Sequence, residues 1–267
     1  MAKTDQLGAP AANSHQMGRF TLNRFVRQEA TVAAPVVWTN MSYITQIEIG
    51  EPSWDYEADI FQQGGGDDKT HIRRGPRWDG TLTILGGKAW TDLATFYGQT
   101  WSTAGTGVLS LRQENDLPVG HWEAICRDSD NVTVLFSLVI QDMVIDDIGF
   151  TNQMDYGDRT IKFHTYHEPF VLCSGAEMVF DKFNATPTTA VYQMSSGTPV
   201  TLVTATSHDD WDYDTAVFVK LKDKSDSWTT KRVKSGITIG ASGTITFTTG
   251  TPAASDVVSC LWAKVSA

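Results

Sequence analysis

Hydrophobic and polar positions alternate with a period of two along most of the chain, and that period predicts strands. Tyr43, Thr45, Ile47 and Ile49 alternate with Ile44, Gln46 and Glu48, a strand covered at least in part on both faces, and Gly50, Glu51 and Pro52 break it. Trp54, Tyr56, Ala58 and Ile60 then take one parity and Asp55, Glu57 and Asp59 the other, so this strand carries an apolar and an acidic stripe on opposite faces. Its predicted partner has Trp78, Leu82 and Ile84 inward and Arg77, Asp79, Thr81 and Thr83 outward. The connection from Gln62 to Pro76 holds Gly64, Gly65, Gly66, Asp67, Asp68, Lys69, His71, Arg73, Arg74 and Gly75, too polar and glycine-rich to pack a core of its own. The pair reads as a hairpin with a long tip, and long loops of this kind are usually functional or mobile.

Only one segment has helical period. Trp90, Leu93, Ala94 and Tyr97 recur at i, i+3, i+4 and i+7, with Gly86 and Gly87 before and Gly98 after, predicting a helix over 88–97. Strands resume over 108–112, 121–127, 132–145 and 159–172. In the third of these, Val132, Val134, Phe136, Leu138 and Ile140 share one parity while Leu135 and Val139 occupy the other, the pattern of a central strand covered on both faces. The order predicts a mainly β protein whose antiparallel sheets carry one flanking helix.

The two ends differ from this middle. Residues 1–33 have weak periodicity and read as an N-terminal arm that gains order by packing on something else. Beyond Asn184 the composition shifts to 28 β-branched residues in 84 with no Glu, which predicts a separate β-sandwich over 190–267 behind a linker at 184–189. Residues 34–183 are then the principal β domain.

Charge sharpens the division. Residues 1–183 hold 14 Lys/Arg against 24 Asp/Glu and 184–267 hold 7 against 7, so the whole net charge of −10 falls in the first part. A basic clamp for nucleic acid is disfavoured, because neutralising phosphates requires clustered Lys and Arg. The longest nearly apolar run, Val132 to Ile140, is too short to cross a bilayer, which takes about 20 residues. The polar start has no basic segment followed by an apolar core, so a chain made and kept in a cytoplasm is expected. Cys126, Cys173 and Cys260 fit neither a disulfide framework nor a C-x-x-C zinc site, and buried thiols are expected.

Catalytic and metal chemistry find little support. Gly64, Gly65, Gly66, Lys69 and Thr70 imitate a P-loop, but Asp68 stands where glycine must precede the lysine and would repel phosphate. His164 and His167, three apart on a strand, point to opposite faces, so with Glu168 they do not chelate together. Asp210, Asp212 and Asp214 have the spacing that opens a calcium loop, yet Thr215 replaces its turn glycine and Leu221 its bidentate Glu. No G-x-S-x-G elbow occurs. The expectation is no enzyme, no metal and no cofactor.

The stretch from Tyr43 through ITQIEIGEPSWDYEADIFQQGGGDDKTHIRRGPRWDGTLTIL, the helix KAWTDLATFYG and the strands ending FVLCSGAEMVFDKF resemble the major tail tube proteins of long non-contractile-tailed bacteriophages. The likeness covers about residues 34–183. It implies two packed antiparallel sheets with a helix at their flank, six subunits joined into a ring by sheet extension, and rings stacked into a tube. It implies that the hairpin connection, Gln62 to Pro76, reaches the adjacent ring, and that 190–267 form a dispensable outer domain, often immunoglobulin-like, which contacts a host surface. Implied partners are the protein itself, a tape-measure protein, tail terminator and distal tail proteins, and genomic DNA in transit without specific binding. The protein would be assembled in the host cytoplasm and reside in the virion tail. A conduit for DNA must not bind it, and at physiological salt acidic walls act over only ~8 Å. Asp55, Glu57 and Asp59, with Asp79 on the partner strand, are the candidate lumen lining. The rival class is a two-domain β adhesin or carbohydrate-binding module, suggested by nine tryptophans and the Thr-rich second domain.

Overall fold

The computed structural model describes residues 19–41, 44–60, 69–84, 94, 96, 119–128, 133–149, 159–173, 175–186, 191–195, 217–224, 229–233, 235–240 and 242–265. These form strands β1 (Arg19–Arg27), β2 (Thr39–Met41), β3 (Ile44–Ile49), β4 (Ser53–Ile60), β5 (Lys69–Ile84), β6 (Val119–Arg127), β7 (Val134–Gly149), β8 (Arg159–Thr165), β9 (Phe170–Cys173), β10 (Ala176–Asn184), β11 (Val191–Gln193), β12 (Val217–Asp223), β13 (Thr229–Arg232), β14 (Ile237–Gly240), β15 (Thr244–Phe247) and β16 (Val257–Val265). Every pairing among them is antiparallel, and the protein is mainly β.

A nine-stranded sheet runs in the order β2-β1-β6-β7-β8-β5-β3, with β4 on β5 and β9 on β7; a four-stranded sheet runs β10-β16-β12-β13, and a three-stranded sheet β11-β15-β14. Side-chain alternation makes these three layers. Phe25, Trp122, Ala124, Ile140, Ile145, Ile161, Phe163 and Leu82 form one core on the large sheet. Val26 and Val139, adjacent in sequence to Phe25 and Ile140, point the other way and pack with Met178 and Phe180 of β10 and Leu261 and Ala263 of β16. The alternate residues Val179, Val258, Cys260 and Trp262 form the third core with Tyr192, Ile245 and Phe247 of the three-stranded sheet. Two glycines let aromatic rings lie across strands: a Cβ on Gly80 would stand 2.3 Å from the Phe163 ring, and one on Gly120 2.3 Å from that of Phe25.

The long central strand read from sequence is β7, buried on both faces as its two apolar parities require. Several expectations differ from the structure. Residues 19–27, expected within an N-terminal arm that gains order by packing, form β1, paired with β6 from Arg19 to Arg27; its period is weak because both faces meet a core, Phe25 on one side and Val26 on the other. The strand expected over 159–172 is two strands, β8 and β9, interrupted before Phe170 by Pro169, which cannot donate to a ladder. Most of the expected helix lies outside the described residues; Ala94 and Phe96 are helical and buried. Phe96, which is off the apolar stripe read from sequence, meets Phe25 at 4.8 Å between ring centroids.

Strand β10, which the sequence reading placed at the end of the first domain, pairs with β16 along its whole length, from Ala176↔Val265 to Asn184↔Val257. Its other edge is covered by the first unit. Val36 N–H donates to the Phe180 carbonyl at 2.8 Å, and Lys182 N–H to the Ala33 carbonyl at 2.8 Å. Two residues before Phe180 on the same strand, a buried ion pair grips one residue: Arg24 Nε donates to Glu123 Oε2 at 2.7 Å, Arg24 Nη2 to the Met178 carbonyl at 2.6 Å, and Met178 N–H to Glu123 Oε1 at 3.1 Å. Trp38 stacks on the guanidinium, 4.6 Å from its ring centroid.

Candidate assembly interface

The first candidate surface is the β4–β5 ribbon. From Gly80 to Ile84, β5 lies between β3 and β8; from Lys69 to Arg77 its strand partner among the described residues is β4. Eight or nine residues at 3.3–3.4 Å each make a two-stranded ribbon about 25–30 Å long, and such a ribbon is marginal in water without a surface to pack on. The connection is shorter than the sequence suggested. Lys69, His71, Arg73, Arg74 and Pro76, expected in a loop, are strand residues, because alternation continues through Thr70 and Ile72 opposite Asp59 and Glu57. Pro76 is accommodated opposite Trp54, beside a register shift. Gln62, Gly64, Gly65, Gly66, Asp67 and Asp68 lie outside the described residues, as do Asp210, Asp212 and Asp214.

The register places Glu57 opposite Ile72 and Asp59 opposite Thr70, with Asp55 at the shift between Trp54 and Tyr56. Asp79 is exposed, as its parity predicted, but it is not an isolated negative charge. Arg77 Nε donates to Asp79 Oδ1 at 2.9 Å, and its Nη2 stands 3.6 Å from Asp146, whose Oδ1 is 2.6 Å from His164 Nδ1. In the cross-strand ladder Asp79–Arg77–Asp146–His164 the Arg77 guanidinium offsets part of the charge of the two carboxylates. His164 and His167 do belong to separate sites, His164 with Asp146 and His167 with Asp142 at 3.0 Å. Among the described residues no group of His, Cys, Asp or Glu is placed to hold a metal ion.

Sheet edges provide the second surface. Among the described residues β3 pairs only with β5, and β2 covers only Asn23 to Phe25 of β1, leaving the backbone before Asn23 uncovered on that side. Phe20 is 49% exposed there, edge to face with Phe136 at 5.6 Å. Open edges of this kind are templates for another strand.

A buried polar node lies where the nine- and four-stranded sheets meet, and the sequence reading did not single it out. The register of β6 and β7 slips between Gly120/Met143 and Trp122/Ile140, and Asp142 takes a positive φ of 44° in this bulge. The bulge turns its carboxylate toward Lys220 of β12, with which it pairs, and toward His167. Its own N–H donates to His121 Nδ1 at 3.2 Å, so the neutral His121 carries its proton on Nε2. Burial, opposed by Asp142 and reinforced by Lys220 and His167, lowers the His121 pKa from 6.5 to about 4. Lys220 and the two histidines hold Asp142 well below the usual carboxylate range, against the effect of burial.

The sign follows from His121. Its folded pKa lies below the unfolded one, so the unfolded chain takes up a proton first as pH falls from 6.5 to 4, and stability is lost in that window. The full loss is about 3 kcal/mol at ~1.4 kcal/mol per pH unit. Asp142 acts only below that window, where it must be protonated. Urea melts from pH 7.5 to 4 are expected to show this decline in the wild type and one proton less of slope in His121→Gln; equal slopes would place the acid sensitivity elsewhere.

Comparison with protein-family models and with the sequences of characterised proteins gave no match. The structure is similar to chains in three solved assemblies. One is the sheath-tube complex of an extracellular contractile injection system in its extended state, with 9% identity, 57% of this chain and 88% of that one covered, and a TM-score of 0.33. The second is the tube-terminating cap of the anti-feeding prophage, with 9% identity, 65% and 100% covered, and a TM-score of 0.34. The third is the baseplate of the anti-feeding prophage, with 6% identity, 57% and 91% covered, and a TM-score of 0.30.

Proposed function

We propose that this chain is a non-enzymatic structural subunit of a phage tail that adds to copies of itself, edge to edge into rings and ring on ring into a tube. The observation that carries this reading is the β4–β5 ribbon, in which β5 from Lys69 to Arg77 pairs with β4 and, among the described residues, with no third strand. A ribbon of that length lacks the partners it needs for independent stability, and a neighbouring ring would supply them. The edges of β3 and β1 offer the lateral contact by sheet extension. Free subunits carry the entropy cost of ordering the ribbon without compensating contacts, so growth is confined to an existing end.

Asp55, Glu57 and Asp59 remain the proposed polyanion-repelling wall; Asp79, paired with Arg77, contributes less field than its sequence position suggested. Tape-measure protein during assembly and DNA afterwards would occupy the bore, with terminator and distal proteins at its ends. Deleting Gly65 to Arg74 tests the mechanism. The expected product is a folded, soluble subunit that forms no tubes by negative-stain microscopy; normal tubes would refute the role given to the ribbon. The rival, a β adhesin or carbohydrate-binding module, predicts discrete monomers that bind glycans.

A further inference from the structure

We propose that the face of β3, β5 and β8 turned away from their core, with Asp146 and Asp147 of β7, is the side of the subunit that lines the bore. This rests on the tube reading and names the surface that meets the transported polyanion.

The two edge strands of the nine-stranded sheet are neighbours in the chain: β2 ends at Met41 and β3 begins at Ile44. Laid flat, the seven strands from β2 to β3 would hold those edges about 29 Å apart, at ~4.8 Å per neighbour. Three residue steps reach only about 11 Å. One stretch of chain therefore pairs with β1 through Thr39–Met41 and with β5 through Ile44–Ile49, and the sheet is rolled around its core. Met41, Ile47 and Ile49 join Trp122 and Phe163 in that core, as a roll requires.

The roll has two outer sides. On one, Val26 of β1 and Val139 of β7 pack against the four-stranded sheet, and the three-stranded sheet lies beyond it. Two further layers of about 10 Å each would crowd a bore, whereas at larger radius they have room. A cleft with Lys182 and Lys220 in its lining also opens on that side. On the other, the residues alternating with the core are polar and meet no further sheet among the described residues: Gln46 and Glu48 of β3, Asp79 and Thr81 of β5, Thr160 and Lys162 of β8.

Charge distinguishes this bare face. Among the described residues it holds Glu48, Asp79, Asp146 and Asp147 against Arg77 and Lys162, and both cations stand beside carboxylates. Arg77 Nη2 lies 2.8 Å from Asp79 Oδ1 and 3.6 Å from Asp146 Oδ2, and Lys162 Nζ lies 3.8 Å from Asp147 Oδ2. A passing chain of phosphates meets no cation there without an anion next to it, which suppresses retention by counterion release. The ribbon continues the face. Ser53 of β4 stands opposite Arg77, and Asp55, Glu57 and Asp59 follow it at the two-residue period, the extra residue of the register shift falling on β5.

The test is size-selective labelling of added cysteines before and after assembly. Gln46→Cys probes the bare face, and Val191→Cys, half-exposed on β11, probes the opposite side. Cys126 and Cys260 are buried, and the wild type supplies the blank. Free subunits of both variants are expected to react with a small maleimide and with a maleimide carried on a large globular protein. In tubes, Val191→Cys keeps both reactions, while Gln46→Cys keeps the small reagent and reacts at least tenfold more slowly with the large one. Thr160→Cys, exposed on β8, replaces Gln46→Cys if that variant does not assemble. Reaction of both reagents at the bare face in tubes, reaction of neither, or loss of the large reagent at Val191→Cys overturns the assignment and leaves the tube reading standing. A wild type that forms no tubes overturns both.

Discussion

A chain cut after Asn184 is expected to come out of expression insoluble. The cut removes β16, the partner of β10 at every residue from Ala176 to Asn184. It also removes Leu261 and Ala263 from the core that holds Val26, Val139, Leu172, Met178 and Phe180. Exposing three or four large apolar side chains costs about 1.5–3 kcal/mol each, a sum comparable to the 5–15 kcal/mol that holds an ordinary domain together. The bared strand edge adds an aggregation template. The resemblance read from the sequence implied a dispensable outer domain; in the structure β16 completes a layer with β10, and its removal should abolish folding. Soluble fraction, size-exclusion profile and circular dichroism of residues 1–184 measure it. A monodisperse, β-rich fragment would show that the large sheet sustains itself.

The second large effect is expected at Glu123, fully buried and paired with Arg24. Glu123→Ala leaves the guanidinium largely buried without its carboxylate and removes the acceptor of the Met178 N–H, breaking both the ion pair and the grip on β10. Removing one partner of a buried pair costs about 3–5 kcal/mol, whereas replacing both by apolar residues of similar volume is often near neutral. Urea denaturation should therefore show Glu123→Ala as severely destabilised and the double variant Arg24→Met/Glu123→Met as considerably more stable than it. A double variant as unstable as the sum of its two singles would mean the two side chains act independently. Burial pushes the Glu123 carboxyl above its usual range despite Arg24, which is the same desolvation seen from the proton's side.

Much of the fold was legible because alternation reports which residues face a core. It located β3, the β4–β5 hairpin and the two covered faces of β7. It also placed Asp79 on a solvated face. The sequence did not show that Asp79 would meet Arg77, because residues two apart on one strand share a face but their pairing depends on rotamer and on Asp146 from β7. β1 was missed for the reason that made β7 recognisable only by its length: a strand buried on both sides loses its period. The β10–β16 pairing joins residues that stand far apart in the chain, and no local pattern encodes it.

The buried seam was hidden in a similar way, though with a trace. In VLFSLVIQDMVIDDIG the two consecutive polar residues Gln141 and Asp142 break the alternation inside an apolar run, and that break marks the bulge. Glu123, a single acid within the buried strand VGHWEAICR, was a comparable sign that a buried partner must exist.

Whether copies of this chain enclose a hollow cylinder is answered most directly by electron microscopy of the purified full-length protein at rising concentration. The account predicts rings and stacked tubes of uniform diameter, absent when Gly65 to Arg74 are deleted. A population of single particles at every concentration, or tubes whose inner wall in a high-resolution map is formed by lysines and arginines, would contradict it.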